Sequence, residues 1–133
     1  MLRKLTSKKR GGFTLVEIMI VVAIIALLAA IAVPGFLRAR KRSQASKVLN
    51  DLRLISSAMD QYAIETSKKT GDPIDVTDWT KYVKKDTVLY ATAADLFGEP
   101  YGNQTVDSLP VVSPITKAAL SDVTDDAFWS PYN

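Results

Sequence analysis

Between Ile18 and Val33 the chain carries no charged side chain, and nothing else in the sequence restricts its fold as strongly. A helix over residues 13–33 is 21 residues long, or roughly 31 Å at about 1.5 Å per residue. That is close to the hydrocarbon thickness of a bilayer. One acid, Glu17, stands near the start of this run, and a glycine pair, Gly11-Gly12, stands just ahead of it. A lone carboxylate in hydrocarbon costs about 2.5–3.5 kcal/mol on insertion scales, so its presence demands a reason.

Charge divides the chain at the same place. Arg3, Lys4, Lys8, Lys9 and Arg10 put +5 on the first twelve residues, so the total of +3 leaves −2 for the rest. A reading as a basic nucleic-acid-binding protein therefore fails once those twelve residues are removed, and no nucleic-acid partner is expected by default. The sequence holds no Cys and no His. Disulfide frameworks, thiol nucleophiles, histidine triads and most zinc sites are excluded. No catalytic constellation remains, and the chain is expected not to be an enzyme.

Beyond Pro34-Gly35 the apolar pattern changes. Ala45, Val48, Leu52, Ile55, Met59 and Tyr62 recur at spacings of three and four, one stripe along one helix face. Leu54 lies off the stripe as a candidate outward contact. The helix is expected to end between Thr66 and Gly71, where Gly71-Asp72-Pro73 joins a C-cap residue to a breaker. After it, Thr77 reads as the N-cap of a short helix over 78–84, and residues 87–91 as a strand. Ser113-Pro114 opens a helix to about Leu120. Residues 101–112 offer short strands, with Pro110 at an edge. Eight of the eleven aromatics fall after residue 66. A core on Trp79, Tyr82, Tyr90, Phe97, Phe128 and Trp129 is expected, completed by the helix stripe because so small a head is marginal alone.

Three readings fit the N-terminus. A secretory signal would end in the small-x-small site Ala30-Ile31-Ala32. A plain signal anchor would be oriented by the basic residues before the run, although Arg38, Arg40, Lys41 and Arg42 crowd its other side. Neither accounts for Gly11-Gly12 or Glu17. The segment RGGFTLVEIMIVVAIIALLAAIAVP resembles the N-terminus of type IV prepilins and of the pseudopilins of type II secretion. The resemblance implies a basic leader, residues 1–12, removed by a prepilin peptidase that cuts between Gly12 and Phe13 and methylates the new Phe13 amine. It makes Glu17 the family's acidic assembly residue and Pro34 the proline that breaks its long helix. A cationic amine and a carboxylate in apolar surroundings relieve each other's cost, within one chain or between neighbours. The competing role for Glu17 is a cap on its own helix N–H groups at the positive end of the dipole. Pro34 cannot donate to Ala30 and Gly35 lowers helix propensity, so a kink or local melting is expected at residues 30–35.

In the head, Asp95, Gly98, Pro100 and Tyr101 of DLFGEPYGN resemble the D-x-x-G-x-P-Y signature of major pseudopilin heads, while Leu96, Phe97 and Glu99 depart from it. A tight turn between two elements explains the same residues without any family. Some heads of this family hold calcium. Asp122, Asp125 and Asp126 form the dense acidic cluster that oxygen-seeking calcium would use, but their spacing matches no defined loop, and no cofactor or metal is expected. The basic residues from Arg38 to Lys47 are suited to phospholipid headgroups, a neighbour's acids or captured DNA, and their place directly after the apolar run favours lipid or a neighbour.

The expected fold is α+β and pilin-like: a long kinked N-terminal helix packed on a small head with short helices and a small antiparallel sheet. Its parts are a leader at 1–12, a transmembrane or filament-core helix at 13–37, an amphipathic half at 38–66 and a head at 67–133. The resemblance implies a type IV filament subunit, a secretion pseudopilin foremost and a pilus pilin otherwise. A secreted or anchored binding domain with an ordinary signal is the alternative from another class. Implied partners are copies of the chain, minor pilins or pseudopilins, the peptidase, an inner-membrane assembly platform and membrane lipid. The implied location is the bacterial inner membrane, single-pass, N-terminus cytoplasmic and head periplasmic, then a periplasmic or surface filament.

Overall fold

The computed structural model describes residues 11–133; the charged residues Arg3 to Arg10 of the expected leader lie outside them. Contacts group the described chain into two units, one ending at Phe36 and one over Leu37–Asn133.

Helix α1 runs Leu15–Thr66. Its N-terminal part is apolar on every side and exposed, with a mean hydropathy of 3.0 over its most apolar 18 residues and none of that window buried. α1 is continuous through Pro34 and Gly35, so of the kink or local melting expected at residues 30–35, the melting does not occur in this structure. Proline removes a single bond to the preceding turn. Good helix formers such as Ala29, Ala30 and Leu37 flank it, and extension is cheap once a helix is nucleated.

The second unit is built on the other half of α1. Its strip of short elements comprises β1 (Pro73–Ile74), α2 (Val76–Trp79), a 3₁₀ turn at Thr80–Tyr82, α3 (Val88–Thr92), β2 (Gln104–Thr105), α4 (Pro114–Ala119) and α5 (Asp126–Trp129). Strands β1 and β2 pair antiparallel, Pro73 opposite Thr105 and Ile74 opposite Gln104. The architecture is α+β, as expected.

The stripe on α1 divides between two cores. Ile55, Ala58 and Met59 pack with Ile74, Trp79, Val83, Leu89 and Val106. Ala45, Val48 and Leu52 pack with Val112, Leu120, Trp129 and Tyr132. Tyr62 is half-buried, and its hydroxyl donates to Asp78 at 3.1 Å. Leu54 is exposed. Of the expected aromatic core, Trp79 and Trp129 are buried, whereas Tyr90 and Phe97 face solvent and Tyr82 and Phe128 are half-buried. Aliphatic residues from α3, β1 and the loops fill the space instead.

Three further expectations are corrected. Residues 88–92 are a helix rather than a strand. Thr87 caps it, its hydroxyl accepting the Tyr90 N–H at 3.2 Å, and burial of Leu89 fixes it to the core. Local capping outweighs the β-branched composition. The helix expected over 78–84 with Thr77 as its cap begins two residues earlier, at Val76 after Asp75, and ends at Trp79. Pro110 is buried in a loop, not at a strand edge. Ser113 caps α4 with Pro114 at its first position, as expected.

The buried face of α1 begins at Ala45. A fragment of residues 41–133 is therefore expected to be a soluble, folded monomer. Circular dichroism and light scattering check this; an aggregated or unfolded fragment would place part of the core before residue 41.

Candidate functional site

Gly11 and Gly12 precede α1 in irregular, exposed chain. A Cβ added to either meets nothing within 4 Å, so the subunit's own fold makes no demand for glycine there. Phe13 follows with 86% of its surface exposed. The segment is open to an outside molecule on every side.

Thr14 and Glu17 then close a reciprocal cap. The Thr14 N–H donates to Glu17 Oε2 at 2.9 Å, and the Glu17 N–H donates to Thr14 Oγ1 at 3.2 Å. Thr-x-x-Glu at a helix start is the capping-box pattern, and the acid also lies at the positive end of the helix dipole. The acid thus serves its own helix start in the isolated subunit, with Oε1 left over. Thr14 is the participant that sequence reasoning passed over, although Thr-x-x-Glu directly before an apolar run was the available signal. Around it, Leu15, Ile18, Met19, Val22, Ala23 and Ala26 line a shallow apolar groove of about 390 Å³. Pro34 and Gly35 stand exposed inside α1, away from this cap.

In the head, the residues of DLFGEPY form one device. Asp95 is buried, and its Oδ1 accepts the N–H groups of Phe97 at 2.8 Å and Glu99 at 3.0 Å. Its Oδ2 accepts the hydroxyl of fully buried Thr116 on α4. The Gly98 N–H donates to the Asp95 carbonyl, with φ at +86°, a backbone that favours glycine. Ala94 bridges Pro100, and the Tyr101 N–H donates to the Ala93 carbonyl at 3.0 Å. Glu99, one of the departures from the signature, accepts the Ser113 hydroxyl at 3.2 Å. The loop is thus tied to the start of α4 twice. Tyr101 packs against both cores. Burial, with Asp51 and Asp95 adding to it, pushes its hydroxyl well above the ordinary tyrosine range. The Tyr101 hydroxyl is buried with no hydrogen-bond partner among the described residues, and the whole device reads as a structural lock.

The three acids weighed for calcium have separate engagements. Asp122 pairs with Lys41 at 2.8 Å, which holds its carboxyl below the usual range. Asp126 pairs with Lys117 at 2.8 Å. Asp125 caps α5, accepting the Phe128 N–H at 2.9 Å. Among the described residues no three acids gather as a metal-holding group.

Comparison with known proteins adds to this geometry. The model of a family described as the prokaryotic N-terminal methylation motif matches residues 7–33. The chain is 31% identical over 108 residues to the type II secretion system core protein G of Pseudomonas aeruginosa, spanning 71% of this chain and 72% of that one. It is 34% identical over 61 residues to the core protein G of Klebsiella pneumoniae, 46% of this chain and 44% of that one. It is 44% identical over 60 residues to the type IV major pilin protein PilA of Myxococcus xanthus, 45% of this chain and 27% of that one. No solved structure matches.

Proposed function

The chain belongs to the family of type IV pilins and type II secretion pseudopilins, and from that premise we propose that it is the pseudopilin of a secretion filament. The observation carrying this reading is the extent of the match to the Pseudomonas core protein G. Covering 71% of this chain, it extends well beyond the methylation motif at residues 7–33 and reaches into the head. The Asp95 turn, with Gly98, Pro100 and Tyr101 in place, supports it.

In this reading residues 1–12 are a leader. A prepilin peptidase cuts after Gly12 and methylates the amine of Phe13. The product waits in the bacterial inner membrane as a single-pass protein, head periplasmic, and an assembly platform polymerises it with copies of itself and minor pseudopilins. The apolar part of α1 becomes the filament core, where Ala23 and Ala26 let neighbouring helices approach closely. The subunit has a mechanical role and catalyses nothing. Filament assembly is common to both branches of the family. The Myxococcus match favours the pilus branch as the second reading. Deleting the gene and assaying secreted protein against surface pili separates them: loss of secretion supports the pseudopilin, loss of pili with intact secretion the pilin.

Gly12→Val tests the junction. Since a Cβ at residue 12 meets nothing in the subunit, the variant folds and inserts. The peptidase must accommodate this residue in extended chain, so unprocessed precursor is expected to accumulate in the membrane. A mature product of normal mass from Gly12→Val would refute the junction.

A further inference from the structure

Seven cations and acids crowd the region where α1 leaves its apolar part, and the structure sorts them. Lys41 is taken by Asp122 at 2.8 Å and Lys47 by Asp51 at 3.0 Å. Arg38, Arg40 and Arg42 are exposed and make no ion pair among the described residues. They are arginines, whose planar guanidinium forks match phosphate oxygens two at a time.

Their placement around the helix is as informative as their charge. At about 100° per residue, Arg42 projects within roughly 40° of Arg38, whereas Arg40 projects about 160° away. Arg38 and Arg42 flank an open cleft of about 300 Å³ with Ala39, Asp122 and Val123, and Arg40 stands on the opposite side of the helix. Before assembly brings neighbours around the helix, a single protein partner meets it from one side. A layer of headgroups surrounds it. The exposed apolar run ends at Leu37, so Arg38, Arg40 and Arg42 rise about 1.5, 4.5 and 7.5 Å beyond it, within a headgroup layer about 5–8 Å thick on each face of a bilayer.

We propose that Arg38, Arg40 and Arg42 form a collar that binds the phosphates of anionic phospholipid headgroups where α1 leaves the bilayer. The proposal rests on the membrane-anchored reading above. The collar holds the head at a fixed height on the bilayer before assembly and is released when the subunit leaves the membrane. The ion pair with Asp122 keeps Lys41 out of the collar.

The test uses the full chain, purified in detergent after alkaline carbonate extraction has shown it to be integral to the membrane. Native mass spectrometry then counts phosphatidylglycerol and phosphatidylcholine retained by the wild type and by the triple variant Arg38→Gln, Arg40→Gln, Arg42→Gln. The leader is the same in both, so its lysines cancel. The wild type is expected to prefer phosphatidylglycerol, and the variant to lose at least about fivefold of that preference, the factor for one arginine at an anionic surface. The corresponding triple Lys variant, which keeps the charge, retains most of it. Equal retention of the two lipids by the wild type overturns the proposal. So does an undiminished preference in the Gln variant, including the case where that variant loses filaments, which would assign the arginines to a neighbouring subunit. A chain that carbonate releases from the membrane would instead refute the anchored reading, before any lipid is counted.

Discussion

Glu17→Leu subunits are expected to insert and mature normally and yet to build no filaments, and Glu17→Gln subunits to fail in the same way. Leucine removes a charge from the apolar run, worth about 2.5–3.5 kcal/mol of easier insertion, and Gly11-Gly12-Phe13 is untouched. Two consequences of the carboxylate must be told apart. It caps the Thr14 N–H at 2.9 Å, and it is the one charge available to a Phe13 amine in the apolar core of a filament. Leucine abolishes both. Glutamine keeps the cap, since Gln serves at this position of a capping box, but supplies no charge. Leaving one member of a buried charge pair alone costs about 3–5 kcal/mol, and a filament meets that cost at every subunit. Losing the cap costs about 1 kcal/mol. Electron microscopy of sheared filaments beside a blot for mature protein decides the matter. Normal filaments from Glu17→Gln would leave Glu17 as a helix cap and nothing more.

Asp95→Ala is expected to be the most damaging single change among the polar residues of the head. It strands the N–H groups of Phe97 and Glu99 and the hydroxyl of buried Thr116. Each group left unsatisfied costs about 1–3 kcal/mol, so a total near 3 kcal/mol or more is expected. A domain of this kind holds about 5–15 kcal/mol altogether. Asp95→Asn keeps an oxygen for both N–H groups and is expected to lose about 1 kcal/mol. Urea denaturation of residues 41–133 measures the order. Equal losses in the two variants, or no loss in Ala, would show that the turn holds without its carboxylate.

How much of this was legible in the sequence depended on the distance over which each signal acts. The stripe from Ala45 to Tyr62 was readable because helix geometry maps spacing directly onto a face, and Ser113-Pro114 because capping is local. The N-terminal motif was readable because every residue of it lies within one short segment. Thr14 is equally local, and Thr-x-x-Glu directly ahead of the apolar run is its signal. The helix at 88–92 was misread because Val88 and Tyr90 suggest a strand, while its cause is one hydroxyl, that of Thr87, and one core position, that of Leu89. The partner of Asp95, Thr116, lies 21 residues away, and no periodicity links them. Pro34 lowers helix propensity without deciding the outcome, because the turns on either side carry α1 through it.

The central claim is that this chain is a subunit processed at Gly12–Phe13 and built into a filament. The most direct test is intact-mass analysis and N-terminal sequencing of the protein recovered from assembled filaments. The expected product begins at Phe13 and bears a single methyl group on its amine. A chain beginning at Met1, or at Val33 after cleavage behind Ala32, would contradict the account and return the N-terminus to an ordinary anchor or signal.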